Sequence, residues 1–216
     1  MKLLLTSGGL ENKTIIDALR ELAGKDFKDT RLVFIPTAAN VEKGDKTWLI
    51  KDLSKCNELG FKEPDIVDIA AVPQDIWAPR LQNADVIMVG GGNVAYLMAQ
   101  MRKSGLAKVL PDLLQSRVYV GISAGSMVTA PKLKEKIMQV IYDEPIIDVT
   151  NEGLGFVDFL IVPHMNSPYF PRAAELIDEV AKDVEMPLYA IDDQTAIKVV
   201  DGKVEIVSEG KWKRFN

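Results

Sequence analysis

The sequence predicts an α/β fold: a doubly wound, mostly parallel sheet with helices on both faces, closed by a C-terminal β-hairpin. Three observations point there. Short apolar runs alternate with segments whose apolar residues recur at helical spacing, the pattern of strands joined by helical crossovers. No Pro/Gly/Ser-rich linker or shift of composition interrupts the 216 residues, and 47% hydrophobic content fills one core, so residues 1–216 read as one domain. Near the end, Asp201-Gly202 separates two apolar runs and supplies the positive φ angles of a tight hairpin turn.

Taken in order, the first strand is residues 2–6, where Leu3-Leu4-Leu5 is too short for the core of a signal peptide. Further strands are expected at 31–36, 65–69, 85–89 and 117–120, separated by helices at about 11–23, 45–59, 74–82, 93–104 and 106–115. Periodicity loosens through 131–156. It resumes as a strand at 157–162 and as an amphipathic helix near 171–184, whose apolar face carries Ala173, Leu176, Ile177, Val180 and Val184. A strand at 188–191 precedes the hairpin of 195–200 and 203–207.

A net charge of −5 and the lack of a basic, aromatic-interleaved patch argue against a nucleic-acid surface; Lys132, Lys134 and Lys136 make only a short solvated run. No apolar run approaches a membrane span, and a cytoplasmic location is expected. The single cysteine, Cys56, shares a helical face with Leu49 and Leu53, which suits a buried thiol and excludes intrachain disulfides.

In parallel sheets the working loops lie at the carboxyl ends of strands. Four such loops carry unusual residues: Thr6-Ser7-Gly8-Gly9, Gly90-Gly91-Gly92-Asn93, Gly121-Ile122-Ser123-Ala124-Gly125-Ser126 and the segment at His164. The third has the form of a nucleophile elbow, in which a serine on a tight strand-to-helix turn is lifted above the sheet and flanking glycines avoid Cβ clashes. A serine hydroxyl needs a base, most often imidazole, and His164 is the only histidine in the chain. It follows an apolar run at 159–162 and would emerge from a strand end. A carboxylate to orient that imidazole could come from Asp143 or from Asp193, and spacing does not choose between them. The shorter strand-end loop of Asp193 offers the more rigid mount. The triple glycine can present backbone N–H groups, as an oxyanion hole, an anion site or a tight structural turn would require. It lacks the Lys-Ser/Thr of a phosphate loop and the glycine spacing of a dinucleotide site.

Together, Val89-Gly90-Gly91-Gly92-Asn93, Gly121-Ile122-Ser123-Ala124-Gly125-Ser126, Asp143-Glu144-Pro145-Ile146-Ile147, Pro163-His164 and Ile191-Asp192-Asp193-Gln194-Thr195-Ala196 resemble, in order, peptidase family S51, which includes dipeptidase E and the cyanophycinases. The resemblance spans nearly the whole chain. It implies a fold like that of class I glutamine amidotransferases with serine replacing their elbow cysteine, and a serine peptidase of short peptides that uses no metal or other cofactor. It implies Ser123 as nucleophile, His164 as base, and Gly91 with Ala124 as oxyanion donors, with Asp143 and Asp193 both falling at acidic positions of the family. Asn93 and Arg172 are the candidate substrate contacts, and Arg172 could grip a substrate carboxylate through paired hydrogen bonds. The segment from His164 to Arg172 is shorter than expected for dipeptidase E, which leaves strict preference for N-terminal Asp open. An esterase or amidase with the same residues, or a non-catalytic anion-binding protein of this fold, remain the alternatives. The expected partner is a small peptide, with neither nucleic acid nor membrane, and the expected state is a monomer or small homo-oligomer.

Overall fold

In a computed structural model describing residues 1–144 and 151–216, the apolar runs pair into two sheets. The strands are β1 (Lys2–Thr6), β2 (Arg31–Ile35), β3 (Lys62–Ile66), β4 (Val86–Val89), β5 (Val118–Ile122), β6 (Leu160–Val162), β7 (Leu188–Ile191), β8 (Thr195–Val200), β9 (Lys203–Ser208) and β10 (Trp212–Phe215). The helices are α1 (Lys13–Ala23), α2 (Thr47–Glu58), α3 (Gln74–Asn83), α4 (Val94–Lys103), α5 (Leu106–Leu113), α6 (Ala124–Met127), α7 (Glu135–Tyr142), α8 (Pro171–Glu175) and α9 (Ile177–Val180).

The main sheet has the order β3-β2-β4-β5-β1-β8-β9, with the first five strands parallel and the last two antiparallel. Successive side chains of the central strands point to opposite faces, and both faces are buried. On one face Leu3, Leu5, Val33, Ile87 and Tyr119 pack with Trp77 of α3, Leu97 of α4 and Leu110 of α5. On the other, Leu4, Phe34, Met88 and Val120 pack with Ile15 and Leu19 of α1 and Cys56 of α2. This two-sided burial is why these strands read as continuous apolar runs.

Four expectations need correction. Strand β3 lies at 62–66 rather than 65–69: it is an edge strand with exposed side chains, Pro64 and a register shift against β2, so its position carries no apolar signal. Buried Val67 and Ile69 follow the strand instead of belonging to it. The strands near 160 and 188 leave the main sheet and form a second one, β10-β7-β6, to which the unforeseen and largely exposed β10 adds antiparallel. Helix α7 forms within the segment expected to be irregular, burying Ile137, Met138 and Ile141. The helix expected over 171–184 is broken at Leu176 into α8, α9 and a 3₁₀ turn, which lets Ala173, Ile177 and Val180 each reach the core.

Strand β8 runs antiparallel to β1 with Ala196 opposite Thr6, so the residues that begin β8 sit beside the carboxyl end of β1. Thr6 also lies opposite Ile122, the last residue of β5. Three loops therefore converge on one rim. Among the described residues no helix is long and apolar enough to cross a membrane.

Candidate active site

At the end of β5 the chain turns into α6 through Ser123, whose φ of 49° and ψ of −108° lie where non-glycine residues are strained, by about 1–3 kcal/mol. The surroundings enforce the turn. A Cβ at Gly121 would stand 2.6 Å from the Ser126 nitrogen, and one at Gly125 would stand 2.1 Å from the Val89 carbonyl oxygen, so both positions require glycine. The Tyr119 hydroxyl donates to the Gly125 carbonyl at 2.6 Å, and the Ser123 N–H donates to the Thr6 carbonyl at 3.1 Å. Ser126, the other serine of the motif, is fully buried and donates to the Thr6 carbonyl at 2.7 Å.

His164 leaves β6 through a left-handed φ of 63° and turns its ring toward the elbow. Its Nε2 is 2.8 Å from the Ser123 Oγ, and its Nδ1 is 2.7 Å from Oδ1 of Asp193. An ionised carboxylate only accepts, so the neutral ring carries its proton on Nδ1 and leaves Nε2 to accept from the serine hydroxyl. The ring is clamped beyond these bonds: Phe170 stacks on it at 4.5 Å, and Tyr142, edge-on to Phe170, donates to the Pro163 carbonyl at 2.8 Å.

Asp193 is braced from its own turn. The neighbouring Asp192 Oδ1 accepts from the Gln194 N–H at 3.1 Å and the Thr195 hydroxyl at 2.7 Å. A Cβ at Gly8 would come within 2.9 Å of the Asp193 Cβ, so the close passage of these loops depends on glycine there. Burial works against the Asp193 charge, but the hydrogen bond and electrostatic attraction of His164, then the Ser7 hydroxyl and the Lys51 charge, outweigh it and hold the carboxyl below its usual range.

Gly91 faces the elbow, its would-be Cβ 3.3 Å from the Ser123 Cβ. Among the described residues no carbonyl or side chain accepts from the N–H of Gly91 or of Ala124. Asn93 is buried, and its Oδ1 caps α4 by accepting from the Tyr96 N–H at 2.8 Å. The first N–H of α4, that of Val94, donates to Glu144 Oε2 at 2.9 Å. Burial, with the charge of Glu42 behind it, pushes the Glu144 carboxyl up to about 7 against the pull of that N–H. A helix start already held by Asn93 and a glutamate is poorly disposed to an exogenous anion.

Asp143 is not in this chain of bonds. It ends α7 in the left-handed conformation, is 88% exposed, and faces the half-exposed Arg172 at 3.6 Å. The rest of its motif, Pro145 to Ile147, lies outside the described residues. Cys56 is buried, and burial with the nearby Asp52 charge pushes its thiol up to about 12. Ser7, Phe170 and Tyr142 were not identifiable as site residues from sequence. The Thr6-Ser7-Gly8-Gly9 loop is marked by its place at a strand end, yet nothing local indicates which far residues Ser7 touches.

The model of peptidase family S51 matches residues 3–207. A peptidase of Pasteurella multocida is 29% identical over 197 residues, covering 89% of this chain and 91% of that protein. Peptidase E of Escherichia coli is 28% identical over 173 residues, covering 79% and 69% respectively. The crystal structure of a protein assigned as a peptidase E from Listeria monocytogenes superposes with a TM-score of 0.81 at 23% identity, covering 97% of this chain and 98% of that one. That similarity speaks to the fold, including its mostly parallel central sheet.

Proposed function

Because the chain belongs to peptidase family S51 and is a serine peptidase, we propose that it is a cytoplasmic hydrolase of short peptides in which Ser123 is the nucleophile, His164 the base and Asp193 the acid that orients it. The observation that carries this reading is the unbroken sequence of bonds from Ser123 Oγ through His164 to Asp193. Nε2 takes the hydroxyl proton as Ser123 attacks the peptide carbonyl, and the Nδ1–H bond to Asp193 stabilises the imidazolium that results. Negative charge developing on the carbonyl oxygen is met by the N–H groups of Gly91 and Ala124, which need no reorganisation to donate. The imidazolium then protonates the leaving amine, and a water, deprotonated by His164, releases the acyl group from Ser123. The elbow at the end of β5, with serine where class I glutamine amidotransferases carry cysteine, supports a fold like theirs.

For a substrate as small as a dipeptide the strongest handles are its charged groups. The exposed Arg172 guanidinium, loosely paired with Asp143, is the local candidate to grip the side chain of an N-terminal Asp. Asn93, whose buried carboxamide oxygen caps α4, serves the substrate site by fixing the end of the glycine loop and not by direct contact. The test is labelling with a fluorophosphonate, which requires an activated serine, followed by a dipeptide panel. Labelling should map to Ser123 and vanish in Ser123→Ala and His164→Ala. Arg172→Ala should lower hydrolysis of Asp-Leu several-fold more than that of Ala-Leu. Labelling elsewhere would overturn the nucleophile, and equal losses on both dipeptides would overturn only the role of Arg172.

A further inference from the structure

We infer that Ser7 is a positioning residue of this machinery, its single hydroxyl fixing both the Asp193 carboxylate and the main chain of His164. The inference rests on the proposed roles of Ser123, His164 and Asp193. Ser7 is the first residue beyond β1, and the registers of β1 with β5 and with β8 set it between the elbow and the Asp193 turn. It is fully buried. Its hydroxyl donates to Asp193 Oδ1 at 2.6 Å and accepts from the His164 N–H at 2.7 Å, while its oxygen lies 3.4 Å from Nδ1.

The direction of each bond follows from chemistry. The carboxylate cannot donate, so the one hydroxyl proton of Ser7 goes to Asp193, and a lone pair remains for the His164 N–H. The same Oδ1 that receives the imidazole N–H therefore receives the hydroxyl as well. Two short donors converging on one oxygen fix the carboxylate's rotation, and the bond to the His164 nitrogen fixes the left-handed residue from which the ring projects. Strand β1 also supplies the Thr6 carbonyl that accepts from the Ser123 N–H, so one strand end sets all three groups.

Removing the hydroxyl has two separable effects. Asp193 and His164 lose their common anchor, which slows the proton transfers while leaving substrate contacts alone. Oδ1 also keeps more of its negative charge for the Nδ1–H, which favours the imidazolium. Ser7→Ala, verified as folded by its thermal transition, should lower kcat by about 10–100-fold with KM within about twofold. The acid limb of kcat/KM should move to higher pH. Ser7→Thr, which keeps the hydroxyl, should restore most of the loss. Should the alanine variant not fold, Ser7→Cys keeps the volume with a weakly donating thiol and should show the same two changes in smaller measure. A folded Ser7→Ala or Ser7→Cys with unchanged kcat and acid limb overturns the inference, as does a folded Ser7→Thr no better than alanine. Fluorophosphonate labelling of the wild type at Ser123 separates this outcome from failure of the nucleophile itself.

Discussion

The turn that carries Asp193 and the turn that carries Asp143 each hold one of the two candidate acids, and they treat it in opposite ways. Asp192 ties the first turn through Gln194 and Thr195, the end of β1 presses against it, and Asp193 is held between His164 and Ser7. In the second, Asp143 points to solvent beside Arg172, and the carboxylate turned inward is its neighbour Glu144, which caps the helix behind the glycine loop. Both inward carboxylates are penalised by burial. Asp193 stays below its usual range because donors and an imidazole face it, whereas Glu144 rises to about 7 with one backbone N–H to help it. The role of an acid in such a site is set by what braces its turn and which donors reach it, and less by its place in a motif.

His164→Ala should lower kcat by about three orders of magnitude or more, and adding Asp193→Asn to it should cost little further, because residues that act as a unit do not add. A full additional loss in the double variant would detach Asp193 from the histidine. A smaller effect is expected from Gly8→Ala, whose new methyl would stand 2.9 Å from the Asp193 Cβ and 3.2 Å from its Cγ. By displacing the carboxylate without touching its charge, it should reduce kcat about 10–100-fold with KM little changed, and wild-type kinetics would show that the turn is not held as tightly as argued.

The smallest effect concerns stability. Glu144 has a folded-state pKa of about 7 against an ordinary 4.5. Between those values the folded chain binds more protons than the unfolded chain, so stability falls as pH rises through that window. Glu144→Gln removes this loss, so its stability relative to wild type should be greater at pH 8 than at pH 4 by about 3 kcal/mol. A difference independent of pH would place Glu144 in an ordinary solvated setting.

Much of this is legible in the sequence where local chemistry is demanding. The central strands are apolar on both faces, the elbow needs glycine at 121 and 125, and a lone histidine leaves one candidate imidazole. Edge elements are the illegible ones. Strands β3 and β10 expose most of their side chains, so neither periodicity nor hydropathy marks them. The two acids could be ranked only by the expected stiffness of their loops, since the bonds that separate them come from residues remote in sequence. Ser7 is the clearest case: a serine after a strand has no local feature that discloses a partner 157 or 186 positions away.

The central claim is that Asp193, and not Asp143, holds His164 for attack by Ser123, and the most direct measurement is kcat for Asp193→Asn beside Asp143→Asn on one dipeptide. Asparagine keeps the shape of each side chain and removes its charge. The account predicts a fall of about three orders of magnitude or more for Asp193→Asn and less than about tenfold for the exposed Asp143→Asn. The reverse ranking, with both variants folded, would contradict it and move Asp143 into the catalytic set.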